Sequence, residues 1–190
     1  MPLATNGTQE LEGLFLISLN IFPFTSSGEG FFRIFAGNRT EKMEKIEKYE
    51  LLVSQIRSLI EDETDAVAVM SNVSAAIHQA MGFWWTGFYR VAGDELVLGP
   101  FQGPVACMHI PFGKGVCGTA WKQAGTVIVP DVEQFPGHIA CSSESKSEIV
   151  VPVFGSNKTV VAVLDIDSEE LNTFDETDRK YLEEICKMIV

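Results

Sequence analysis

The sequence predicts a single α+β domain with a mostly antiparallel sheet of six strands and helices packed mainly on one side. Three observations carry that prediction. Two stretches of helical period come first. Strand-like runs follow, several joined by connections short enough for antiparallel pairing. A capped amphipathic helix closes the chain.

The elements follow in order. Residues 1–40 mix Gly, Ser, Thr and Asn with isolated apolar clusters and hold no sustained period, so they read as an N-terminal extension. The folded domain is expected over 41–190. Ile46, Tyr49, Leu52, Ile56 and Leu59 recur at helical spacing with charges between them. Asp62 to Asp65 breaks that helix, and Val69, Val73, Ile77 and Met81 line one face of a second. The period then changes. Residues 83–91 (FWWTGFYRV) are aromatic-rich and read as a strand. A Gly93-Asp94 turn leads to a returning strand over 95–98, and 105–110, bearing Cys107, reads as a third. Gly113 and Gly115 punctuate before a short helix over 116–124, with Gly125 at its expected C-cap. Strands are expected over 126–129, 147–154 and 160–166, the last two joined by a turn at 155–158. Thr173 with Glu176 reads as a capping box for a final helix whose apolar side holds Tyr181, Ile185 and Ile189.

Composition narrows the function. Apolar residues are 46% of the 190 and charged residues 21%, which is a globular balance. The formal net charge of −12 repels phosphate backbones, so nucleic acid is not an expected partner. No basic cluster points to an anionic membrane. The apolar stretch 14–24 is too short to span a bilayer, and no Lys or Arg precedes Arg33 as a signal peptide would require. Four cysteines without a C-x-x-C pair are too sparse for a disulfide-stapled secreted domain, so a cytoplasmic protein with reduced thiols is expected.

The chemistry concentrates in 130–147, a long loop inside a compact domain. It holds His138 and Cys141 beside Ser142, Ser143 and Ser145. A cysteine in a polar loop is the kind that reacts, whereas Cys186, on the apolar side of the last helix, is the kind that packs. Cys107, Cys117 and Cys141 lie within 35 residues. Such a trio suits a thiol relay, in which one sulfur becomes a sulfenic acid and a second condenses with it. Cys117 sits near a helix N-terminus, where the dipole favours thiolate. Asp165 and Asp167 alternate with Leu164 and Ile166 and share one strand face, and Glu148 opens the preceding strand. A solvated strand face is the plain alternative. An acid held protonated in such a cluster donates a proton to an oxygen leaving sulfur, and one kept ionised binds an ammonium. Alternation puts Trp85 and Tyr89 on the Gly87 side, opposite Trp84 and Phe88, as one wall of a pocket. Cys107 and His109 with His138 and Cys141 offer four ligands for zinc, but at spacings of no common zinc motif, so no metal is expected.

Taken together, GPFQGPVACMHIPFGKGVCGTAW (99–121), VPDVEQFPGHIAC (129–141), SEIVVPV (147–153) and VLDIDS (163–168) resemble the free methionine-(R)-sulfoxide reductases, a family with the GAF fold. The resemblance runs from about Thr40 to the C-terminus. It implies that Cys141 is the nucleophile toward sulfur, that Cys107 resolves it as a disulfide, and that Cys117 assists. It implies that Glu148, Asp165 and Asp167 act on the sulfoxide oxygen and hold the substrate, with Trp85 and Tyr89 around the methyl-sulfur end. It implies free methionine-(R)-sulfoxide as substrate, thioredoxin as reductant, no bound cofactor, and the homodimer that the family often forms. Ser142 departs from the family pattern, which carries an acid directly after the nucleophile. The rival expectation is a GAF sensor that binds a small ligand without turning it over; a sensor typically joins an output domain and has no need of three thiols.

Overall fold

The computed structural model describes the backbone of residues 29–139 and 143–190, and side chains from residue 41 onward within those ranges. The chain divides into Met1–Gly37 and Asn38–Val190, and the second of these carries the sheet and the candidate site. The element order is α1 (Glu29–Leu59), α2 (Ala66–Met81), β1 (Trp85–Ala92), β2 (Glu95–Gln102), β3 (His109–Pro111), α3 (Gly115–Gln123), β4 (Val127–Val129), β5 (Ser147–Phe154), β6 (Val160–Ser168) and α4 (Glu176–Cys186). The helix that carries the Ile46 to Leu59 stripe therefore begins at Glu29, inside the stretch expected to be tail. Among the described residues no helix is long and apolar enough to cross a membrane.

The six strands form one sheet in the order β3-β2-β1-β6-β5-β4, with every neighbouring pair antiparallel. The fold class expected from the sequence is the one observed. The central join is β1 against β6, strands far apart in sequence, while hairpins extend the sheet on either side.

Strand alternation divides the core in two. Phe88, Ile149, Val151, Val153, Ala162, Leu164 and Ile166 face α1, α2 and α4 in one cluster. Trp85, Tyr89, Val150 and Val163 face the other way, toward Val116, Cys117 and Ala120 of α3. Three helices thus cover one face, and α3 with the long loops covers the other. Each fully buried Phe, Leu or Ile on the helical face contributes about 1.5–3 kcal/mol, so that face is the main store of stability. Polar groups also tie α1 to α4. Asp178, fully buried, accepts from Tyr49 Oη at 2.7 Å, and Lys45 pairs with it. The Tyr49 and Tyr181 rings stack at 5.2 Å.

Several local expectations are corrected. The stretch 105–110 is not a strand: β3 covers only His109–Pro111, and Cys107 lies in the segment before it. Gly103, at φ +125°, and Pro104, which has no N–H to give to a ladder, open that segment. The α3 helix ends at Gln123 and its C-cap is Ala124, in the left-handed conformation at φ 49°, one residue before the expected Gly125. The capping box of α4 is Asp175 with Asp178, not Thr173 with Glu176. Thr173 instead donates its hydroxyl to Ser168 Oγ at 2.7 Å.

Candidate active site

The sheet register assembles most of the predicted residues. Trp85 pairs with Asp167 across β1 and β6, and Asp167 pairs with Glu148 across β6 and β5. One row across three strands therefore reads aromatic, acid, acid on the α3 side of the sheet. The adjacent row on that face is Gly87, Asp165 and Val150. Glu148 and Asp165 are buried, each about 6% exposed. They form the floor of a cavity that Trp84, Trp85, Tyr89, Cys117, His138, Ile139 and Ser145 also line. Counting its open mouth, the space is about 550 Å³, within the scale of small-molecule sites.

The aromatic wall rests on an absence of side chain. A Cβ at Gly87 would lie 2.5 Å from the Trp85 ring and 2.4 Å from Phe101 Cβ. The indole occupies that space, stacked on Phe101 at 5.4 Å and on Tyr89 at 6.0 Å between centroids. Both wall residues also hold the segment that carries Cys107. Trp85 Nε1 donates to the Pro104 carbonyl at 3.0 Å, and Tyr89 Oη donates to the Cys107 carbonyl at 3.0 Å. Trp84 lines the cavity beside Trp85 rather than opposing it. It precedes β1, so strand alternation does not govern it.

The acids lack a basic partner: none of the described residues lining the cavity is Lys or Arg. Burial, and then the charges of Asp165 and Asp167, push the Glu148 carboxyl well above the usual range. Burial and then the Asp167 charge do the same to Asp165. Burial raises Asp167 to about 6, against a hydrogen bond from Ser145 Oγ at 2.5 Å that favours its ionised form. Near neutral pH the cluster therefore holds protons on its deepest members and negative charge on Asp167. One Asp165 oxygen, Oδ1, is buried without a hydrogen-bond partner.

The cysteines separate. Cys117, in the first turn of α3, is buried with its Sγ 3.9 Å from Glu148 Oε1. Burial and then the neighbouring Asp165 and Glu148 push its thiol well above the ordinary value. This overturns the expectation of a thiolate favoured by the helix dipole: a partial charge at a short helix end is outweighed by desolvation and two acids. Cys186 is a buried free thiol in the helical core, as expected. Cys107 is half-buried, packs against the site-side core and takes part in a disulfide. Cys141, with its neighbour Ser142, lies outside the described residues.

Sequence reasoning gave no role to Ser145, which ties the loop to Asp167, or to His138 as a lining residue. A serine-rich run marks polarity but not which hydroxyl meets the acid. The ligands weighed for zinc are not gathered as such. His109 is exposed on β3 with its Nδ1 2.9 Å from Glu95 Oε1, on the edge of the sheet. Among the described residues, the group of Cys, His and acids whose ligand atoms do cluster is Cys117, Glu148 and Asp165.

Comparison with known proteins agrees with the fold. The GAF domain family model matches residues 63–189. GAF domain-containing protein A of Dictyostelium discoideum is 54% identical over 149 residues, 78% of this chain and 94% of its own. The free methionine-R-sulfoxide reductase of Saccharomyces cerevisiae is 42% identical over 171 residues, 86% of this chain and 95% of that protein. The X-ray structure of free methionine-R-sulfoxide reductase from Neisseria meningitidis in complex with its substrate superposes with a TM-score of 0.74 at 47% identity, covering 90% of this chain and 93% of that one. With its register, its two-sided core and these similarities together, the chain belongs to the free methionine-(R)-sulfoxide reductase family of GAF-domain proteins.

Proposed function

We propose that this chain reduces free L-methionine-(R)-sulfoxide to methionine with cysteine thiols. The observation that carries the reading is the acid cluster of buried Glu148 and Asp165 with partly buried Asp167, beside the Trp85 and Tyr89 wall and with no Lys or Arg among the described lining residues. An amino acid bearing an ammonium and a polar S–O bond supplies what that cluster lacks, a cation for Asp167 and an acceptor for the protons on Glu148 and Asp165. The names of the yeast and Neisseria relatives point to the same substrate.

In the proposed reaction, Glu148 or Asp165 donates a proton to the sulfoxide oxygen, which makes the sulfur electrophilic. The Cys141 thiolate attacks it and forms an S–S bond, and the protonated oxygen leaves as water. A water oxygen then adds to the Cys141 sulfur, breaking the S–S bond so that methionine departs and Cys141 is left as a sulfenic acid. The substrate sulfur gains two electrons and the cysteine sulfur loses them. The Cys107 thiol then attacks the sulfenic acid, releasing water and closing a disulfide. Cys107 is disulfide-bonded while Cys117 and Cys186 are free thiols, which supports the resolving role for Cys107. Cys117, deep and protonated, supports the acid cluster rather than initiating attack. A dithiol protein such as thioredoxin restores the thiols, and no bound cofactor takes part.

The test is methionine formation from free methionine-(R)-sulfoxide with a thioredoxin system. Turnover in the parent and a loss of about a thousandfold or more in Cys141→Ser support the reading. Unchanged turnover in that variant removes Cys141 from the role, and tight binding without methionine formation makes the domain a ligand sensor instead.

A further inference from the structure

We propose that the floor of the cavity is a binding site for a thiophilic divalent cation of the zinc class, held by Cys117, Glu148 and Asp165. The Cys117 sulfur and one carboxylate oxygen from each acid lie within 4.8 Å of one another, and all three side chains are buried. Zinc bonds of about 2.3 Å to sulfur and about 2.0–2.2 Å to oxygen place tetrahedral ligands roughly 3.4–3.7 Å apart. The Cys117 Sγ to Glu148 Oε1 separation is already 3.9 Å. Small side-chain rotations therefore close the set without moving the backbone.

Three further features point to a cation. The ligands come from three elements, α3, β5 and β6, and the two strands are directly paired, so the site is held before any ion arrives. The buried Asp165 Oδ1 accepts no hydrogen bond, which leaves an acceptor without its partner on the cavity floor. No Lys or Arg among the described lining residues supplies positive charge there. One thiolate with two carboxylates suits a borderline-soft ion, whereas Mg²⁺ and Ca²⁺ prefer six or more oxygens.

Binding exchanges protons for metal. The Cys117 thiol and whichever acids are protonated release their protons to solvent as the ion enters, with no change of oxidation state. Affinity therefore rises with pH. The occupied floor also excludes the sulfoxide oxygen, a consequence that rests on the proposed function, whereas the cation site itself does not.

The experiment uses the full chain carrying Cys107→Ser and Cys141→Ser, which removes the other two thiols of the proposed relay. Co²⁺ alone, then Zn²⁺ alone, is titrated with calorimetry and absorbance. The proposal expects one ion per chain, a thiolate-to-cobalt charge-transfer band in the near ultraviolet, and displacement of Co²⁺ by Zn²⁺. Adding Cys117→Ser abolishes the band, and Asp165→Asn weakens Zn²⁺ binding at least tenfold. Circular dichroism checks that each variant is folded, and the isosteric Asp165→Asn decides the matter if Cys117→Ser does not fold. No thiolate band in the parent, or Zn²⁺ affinity unchanged by Asp165→Asn, overturns the site. A cobalt band that methionine-(R)-sulfoxide fails to weaken keeps the cation site and counts against the placement of substrate.

Discussion

At the scale of single residues, the cavity shows how burial sets chemistry. Asp165 and Asp167 were legible as acids on one strand face, because a period of two is unambiguous within a strand. Whether that face met solvent or a cavity was not legible, since it depends on the cover supplied by α3 and the 130–147 loop. The covered answer has a measurable consequence. Asp167 has its folded pKa raised to about 6 from an ordinary 3.8. The folded state therefore holds a proton that the unfolded chain gives up, and stability falls as pH rises through that window. At about 1.4 kcal/mol per pH unit the penalty above pH 6 is about 3 kcal/mol. Asp167→Asn removes that penalty. The variant should melt several degrees above the parent at pH 8, and the gap should narrow toward pH 4. Melting curves across that range check it, and a gap that widens as the pH falls would contradict the assigned sign. On the proposed reading, the same substitution also weakens substrate binding, because the ammonium loses its proposed ionised partner.

At the scale of elements, the long periodic helices and the strands rich in aromatic or β-branched residues were readable, and the ends and caps were not. A Thr-x-x-Glu pattern matched a capping box, yet Asp175 and Asp178 two residues on fill it, because Asp178 is also needed at the α1 interface. Tertiary demand, which no local pattern carries, chose between two local solutions. The segment before β3 shows the same limit. Its residues are compatible with a strand, but the Trp85 and Tyr89 side chains capture its carbonyls before a sheet neighbour does. Asp178 makes the point testable. It accepts from Tyr49 Oη and from the backbone N–H of Asp175, and pairs with Lys45. Asp178→Ala strands a buried phenol and a largely buried ammonium, at a cost of about 3 kcal/mol. In a chain of this length that lowers Tm by about 6–12 °C. Methionine formation below the transition should stay near the parental rate, since none of these groups reaches the cavity. Thermal melts with an assay at low temperature separate the two effects.

At the scale of the whole molecule, one sheet serves two purposes on its two faces. The face under α1, α2 and α4 buries one continuous apolar cluster, and it holds the fold. The face under α3 carries the acids and the aromatic wall, and it gives up packing to keep a cavity. The division was visible in the sequence only as alternation, and which side would become the site followed from the acids. Two adjacent residues of β1 divide the molecule along this line. Phe88 is fully buried in the helical core. Phe88→Ala should cost about 3–5 kcal/mol while leaving the activity of the remaining folded protein largely intact. Tyr89, its neighbour, points the other way and donates to the Cys107 carbonyl. Tyr89→Phe keeps the ring and its stacking, so only the single hydrogen bond of about 0.5–1.5 kcal/mol is lost. Its effect belongs to the step that needs Cys107 in place. If the proposed mechanism holds, methionine release in a single turnover should be close to parental, while the proposed sulfenic acid on Cys141 should live longer and be trapped more fully by a 1,3-diketone reagent. A Tyr89→Phe enzyme that closes its disulfide at the parental rate would show that the hydroxyl does not position Cys107. A Phe88→Ala enzyme whose folded fraction is inactive would show that the two faces are not separable.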